Sequence, residues 1–175
     1  MFLLQYNRKQ KTEEIMNIKI ICPTAKHINQ MAKLADESRQ YHIDILGGYF
    51  TPVSSLPAEF ERETIINHMQ QPDKHIIFIA VDSDDNVIGM IMGNKLHKPW
   101  LEKSNVGHVG NFIVSDGARQ QGVGQKLMDA FIDECKRSGL QEVTLGVYNK
   151  NQNAYKFYIK YGFEPREQKM HIDLD

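Results

Sequence analysis

At 175 residues, with 41% hydrophobic and 25% charged side chains, the chain suits one soluble domain built on a single core of ordinary size. A net charge of -1 and a pI near 6.7 exclude wholesale attraction to nucleic acid or an anionic membrane, so any anion site is local. Cys22 and Cys135 stand alone, with no Cys-x-x-Cys pair, and read as buried thiols of a reducing compartment rather than a disulfide framework.

Met1-Phe2-Leu3-Leu4 is too short an apolar run for a signal-peptide core, and no basic residue precedes it. No stretch reaches membrane-spanning length, which makes the cytoplasm the default location. Strand-like sequence starts only after Met16. Residues 1–15 therefore read as a weakly ordered N-terminal extension, and 16–175 as the folded domain. Residues 18–22 form a short strand, and Thr24 caps a helix to about Gln40 through Ile28, Met31, Leu34 and Ala35. A turn-rich, aromatic stretch follows, with Tyr41, His42, Tyr49 and Phe50. A second helix runs from about Pro57 to Gln70 with Phe60, Ile65, Ile66 and Met69 turned mostly inward.

Residues 76–81 are continuously apolar, as in a strand covered on both faces, and residues 87–92 return as its hairpin partner. A polar connection from Lys95 to Asn105 carries Trp100. Residues 106–114 are another strand. From there the order is strand, Gly-containing loop, helix (122–138), strand (143–147), helix through Ala154, Phe157, Tyr158 and Tyr161, and a final alternating strand at 170–174. Gly139 and Gly162 suit the ends of those helices. The class is α/β with a mixed sheet, in one domain. The seven histidines show no metal-binding spacing, and no Cys/His cluster exists, so no metal is expected.

Chemistry concentrates where Phe112-Ile113-Val114 runs through Ser115-Asp116-Gly117-Ala118 into Arg119-Gln120-Gln121-Gly122-Val123-Gly124. Glycines at a helix start leave main-chain N–H groups and the helix dipole free for an anion, and Arg119 adds a fork of charged donors. A P-loop needs Gly-Lys-Ser/Thr where Val123 follows Gly122, and the dinucleotide pattern needs glycine at Leu127. Both patterns fail. By itself the loop fits an anion cradle and an ordinary strand–turn–helix equally well.

Arg119-x-x-Gly122-x-Gly124 resembles the Gln/Arg-x-x-Gly-x-Gly/Ala signature of the GNAT superfamily of N-acetyltransferases. Asn151-x-x-Ala154-x-x-Phe157-Tyr158-x-x-x-Gly162-Phe163 resembles that family's second signature, in the right order and with a strand between. The resemblance covers about residues 106–165. It implies a central, mostly antiparallel sheet whose two central strands splay apart, with helices on both faces. It also implies acetyl-CoA as cosubstrate, with its pantetheine arm in the gap.

Main-chain groups of Phe112 and Val114, with Ile113 between them, would then bind pantetheine, and residues 119–124 its pyrophosphate. Asn151 would approach the pantetheine or serve as the N-cap of the last helix. Tyr158 resembles the acid that protonates the departing thiolate, or else is a core tyrosine. His108, sharing a face with Gly110 and Phe112 by the period of two, is the candidate base ahead of His97 and Glu102, with ordered water as the alternative. Tyr41, His42, Tyr49, Phe50 and Trp100 line an acceptor pocket or seal the core. Asp36, Glu37, Asp44 and Glu59 either favour a cationic acceptor or are simply solvated.

The implied activity is direct acetyl transfer to a primary amine of a small molecule or peptide, by a monomer or homodimer. A protein N-terminal or lysine acetyltransferase and a non-catalytic acyl-CoA sensor are the alternatives.

Overall fold

The computed structural model describes residues 18–47, 49–172 and 174, so the extension expected at 1–15 lies outside the described residues. In chain order the elements are β1 (Lys19–Ile21), α1 (Ile28–Leu46), α2 (Phe60–Gln70), β2 (His75–Val81), β3 (Val87–His97) and β4 (Asn105–Val114). They continue with α3 (Val123–Arg137), β5 (Glu142–Leu145) and α4 (Gln152–Tyr161). The strands make one sheet in the order β1-β2-β3-β4-β5, antiparallel except for the parallel pair β4–β5. A mixed sheet with helices on both faces is what the sequence led us to expect.

Each face of the sheet has its own core. In β2, Ile76 and Ala80 point to one side and Ile79 and Val81 to the other, which is why that strand is apolar throughout. The first side packs Leu127, Met128, Phe131 and Cys135 of α3 and Tyr158 of α4 against Ile91 and Val109. The second packs Met31, Leu34 and Ala35 of α1 and Ile65 of α2 against Met90, Met92 and Ile113. Gly139 ends α3 at φ +70°, with Leu140 N–H donating to Cys135 O at 2.9 Å and Gly139 N–H to Lys136 O at 3.1 Å.

Several expectations need correction. Helix α1 continues past Gln40 to Leu46, since no glycine or proline interrupts 41–46, and it stops at Gly47. Thr24 precedes a 3-10 turn rather than α1 itself, and its N–H donates to the His27 ring at 3.0 Å. Phe60 is exposed at the start of α2, with the Arg39 guanidinium 5.3 Å from its ring centroid. Trp100 does not seal the core, being 76% exposed, and it is not among the residues that line the cleft described below. The described residues of 170–174 form no strand. Their alternation finds no partner edge, and Met170 and Ile172 stand in solvent. Among the described residues, no helix is long and apolar enough to cross a membrane.

Only one of the two cysteines is the buried thiol expected. Cys135 lies inside the first core, where burial pushes its thiol up to about 11. Cys22, just past the end of edge strand β1, is exposed. An Ellman-type titration should therefore consume one thiol per chain rapidly in the native protein and the second only on unfolding. Rapid loss of both in buffer would refute this packing.

Candidate functional site

Strands β4 and β5 pair over only four positions, from Val106↔Glu142 to Val109↔Leu145. Beyond that point β5 ends while β4 continues to Val114, so the strands part and the β4 edge at 110–113 has no partner on that side. The register between β3 and β4 shifts at the same place. Met92 faces Asn111 and Gly93 faces Val109, which leaves Gly110 as the extra residue of a bulge. Such an insertion inverts the alternation of side chains beyond it. Val109 and Phe112 accordingly pack into the same core, although they are three residues apart.

A cleft of about 250 Å³ opens where the strands part. Gly110, Asn111, Phe112 and Ile113 line one wall, with Gly146, Val147 and Tyr148 opposite, and Asn151, Ala154 and Tyr158 of α4 beside them. Ala35, Ser38, Arg39 and His42 of α1, together with Phe50 and Glu61, complete it from the other face of the sheet. A Cβ added to Gly146 would meet no atom within 4 Å, so the wall after β5 borders open space.

The loop before α3 is held in a conformation suited to anions. Gln120 and Gly122 both have positive φ, at +62° and +79°, and Gly122 is the N-cap of α3. Alternating left-handed residues turn successive N–H groups toward one concavity, and the first amides of α3 have no partner within the helix. Two side chains brace the turn. Arg119 Nε donates to Val114 O at 3.1 Å, its NH1 lies 2.7 Å from Asp116, and Gln121 donates to Gly117 O at 2.7 Å. The two glycines differ in role. A Cβ on Gly122 would meet nothing within 4 Å, whereas one on Gly124 would lie 3.3 Å from Phe112 Cζ. Gly122 thus supplies backbone freedom beside open space, and Gly124 lets the Phe112–Phe157 pair lie against α3. Val123 is core.

Helix α4 fixes Asn151 and Tyr158. Asn151 Oδ1 accepts the Ala154 N–H at 3.2 Å, so Asn151 is the N-cap and also a cleft residue. At the other end Gly162 (φ +114°) turns the chain so that Phe163 N–H donates to Tyr158 O at 2.9 Å. The Tyr158 ring is held by Phe112, Phe157 and Phe163 at centroid distances of 6.1, 5.6 and 5.8 Å. Burial pushes its phenol from 10.0 up to about 12, so the proton stays on at any physiological pH.

His108 lies elsewhere. The bulge reverses the alternation, so His108 does not share a face with Phe112 as the period of two suggests. It pairs with Asn94 across the strand, and Nδ1 shares a 3.0 Å hydrogen bond with Thr144 Oγ1. Burial, and then the nearby Lys98 charge, lower its pKa, while Glu167 opposes them. It is not among the cleft-lining residues, nor are His97 and Glu102.

Sequence reading missed Arg39, Glu61 and Tyr148 as cleft residues. Arg39 Nε and NH2 both donate to Glu61 Oε1, at 3.2 and 2.8 Å, across 22 positions of sequence that no periodicity connects. Tyr148 closes an aromatic group with His42, Tyr49 and Phe50, at centroid spacings of 5.6 to 5.7 Å from Tyr148. Among the described residues, no group of three or more His, Cys, Asp or Glu is placed to hold a metal ion.

Comparison with known proteins agrees with this geometry. N-alpha-acetyltransferase 30 of Schizosaccharomyces pombe is 29% identical over 86 residues, spanning 49% of this chain and 55% of that protein. The matched segment thus covers little more than half of that relative. A crystal structure of a Bacillus halodurans protein superposes with a TM-score of 0.79 at 20% identity, covering 89% of this chain and 99% of the other. An aminoglycoside N-acetyltransferase in complex with CoA superposes with a TM-score of 0.69 at 19% identity, covering 90% and 94%. At such identities the two superpositions speak to the fold. The family model for the acetyltransferase (GNAT) family matches residues 36–163, which include the parted strands, the loop before α3 and α4 as far as Phe163; the chain belongs to that family.

Proposed function

We propose that this protein is an acetyl-CoA-dependent N-acetyltransferase that moves the acetyl group directly to a primary amine, acting in the cytoplasm as a monomer or homodimer. The observation that carries the reading is the gap between β4 and β5, with the left-handed loop at 119–124 beyond one end and Tyr158 on its wall. The unpaired β4 edge offers main-chain groups of Phe112 and Val114 to the pantetheine amides, as an added strand would. Main-chain N–H groups of residues 119–124 take the pyrophosphate, and Asn151 borders the arm. An N–H of the β4 edge stabilises the oxyanion, and Tyr158 gives its proton to the departing sulfur.

A small-molecule acceptor is favoured because the cleft is closed on the α1 side by Arg39, Glu61 and the aromatic group rather than left as a long groove. A peptide N-terminus is the second reading, supported by the partial likeness to N-alpha-acetyltransferase 30. Thiol release measured with acetyl-CoA against a panel of small amines and short peptides distinguishes the two. Turnover with small amines is expected. If acetyl-CoA binds yet nothing releases CoA above the hydrolysis rate, the chain is a sensor and the enzyme reading fails.

A further inference from the structure

Direct transfer needs a group that takes a proton from the incoming ammonium ion, and the cleft contains one whose lone pair the fold has already oriented. His42 Nδ1 lies 2.8 Å from the Ser38 carbonyl oxygen. A carbonyl only accepts, so Nδ1 carries the hydrogen and Nε2 of the neutral ring is the bare acceptor. Nε2 faces Asn151, whose Nδ2 is 3.5 Å away. Asn151 has no choice of orientation, because its Oδ1 is taken by the Ala154 N–H, and the amide nitrogen must point at the ring. At 3.5 Å that contact is too long to hold Nε2 strongly, and a substrate nitrogen can replace it.

Building on the acetyl-transfer reading, we propose that His42 Nε2 is the base of this enzyme. The ammonium ion gives one proton to Nε2, and the freed amine nitrogen attacks the thioester carbonyl carbon. As the intermediate collapses the C–S bond breaks, the sulfur takes the Tyr158 proton, and the nitrogen returns its remaining extra proton to the phenolate. His42 then sheds its proton to solvent, so each turnover releases one proton overall. Acid and base stand on the same cleft, one on α4 and one on α1.

The groups around His42 leave it in this role. Arg39 and Glu61 are paired with each other at 2.8 Å, Arg119 lies 5.8 Å over the Tyr41 ring, Tyr148 meets the His42 ring edge-on at 5.7 Å, and Tyr49 packs on Tyr148 at 5.6 Å. Burial holds Tyr148 in its protonated form.

The pH dependence of kcat/KM, read with the amine that gives best turnover, tests the assignment. His42→Gln is expected to lower kcat/KM on the order of 10²-fold and to remove the acid limb, while acetyl-CoA binding persists. Retention of the limb in His42→Gln, or its loss in His108→Gln alone, overturns the proposal. A ¹⁵N spectrum of the wild-type imidazoles provides a test that no misfolded variant can spoil. The Nδ1–H tautomer of His42 is expected at high pH, and the Nε2–H tautomer overturns the proposal. Absence of turnover by the wild type with every acceptor is a different failure, that of the transferase reading itself.

Discussion

Tyr158→Phe should reduce turnover on the order of 10²-fold while leaving acetyl-CoA affinity nearly unchanged. The substitution keeps the ring against Phe112, Phe157 and Phe163 and removes only the hydroxyl. Burial raises the phenol from 10.0 to about 12, which keeps the donor protonated until the intermediate collapses. The sign of the accompanying stability effect follows. Because the folded value is the higher one, the neutral phenol's contribution is complete below pH 10 and drains away as pH rises toward about 12. Steady-state thiol release paired with a binding titration is the measurement, and unchanged turnover removes the acid role.

Gly93→Ala should destabilise the fold by about 3 kcal/mol, near the upper end for overpacking a core. Gly93 sits on β3 opposite the bulge, and an added Cβ would be forced onto the His108 carbonyl oxygen and within 2.6 Å of Phe131 Cζ. Neither can retreat. Phe131 is fully buried, and the carbonyl is part of β4 just before Gly110. Gly110→Ala is the matched control, because its nearest atom, Met92 O, would be 3.7 Å away, an ordinary contact. Denaturant unfolding should therefore separate the two variants widely, and equal midpoints would mean that the bulge region yields.

Much of the fold around the site was legible because its parts obey local rules. Gly122, Gly139 and Gly162 stand where left-handed backbone is needed, Gly124 where an aromatic pair packs against α3, and the stripes of α3 and α4 recur at helical spacing. At two places a count across an irregularity, or a partner taken for granted, misled the reading. The period of two placed His108 beside Phe112, and a single inserted residue at Gly110 sent it to the opposite face. Alternation at 170–174 mimics a strand, but a strand also needs a neighbour. Arg39 and Glu61 sit on different helices, and nothing in either helix announces the other. His42 was visible as one of several aromatics. Its tautomer was not, since that depends on a carbonyl one turn back and an amide on α4, 109 positions away.

The order of strands also has a consequence for how the molecule assembles. Strands β2, β3 and β4 follow one another in space as in sequence, a meander whose pairings close short loops and form quickly. The pairing of β4 with β5 is of another kind, parallel and reached only after the whole of α3 has been laid across the sheet. That crossover pairing, which stops after four positions, is the one that creates the gap between the two strands. The cleft thus depends on a contact between distant parts of the chain, whereas the hairpin strands beside it depend only on near neighbours.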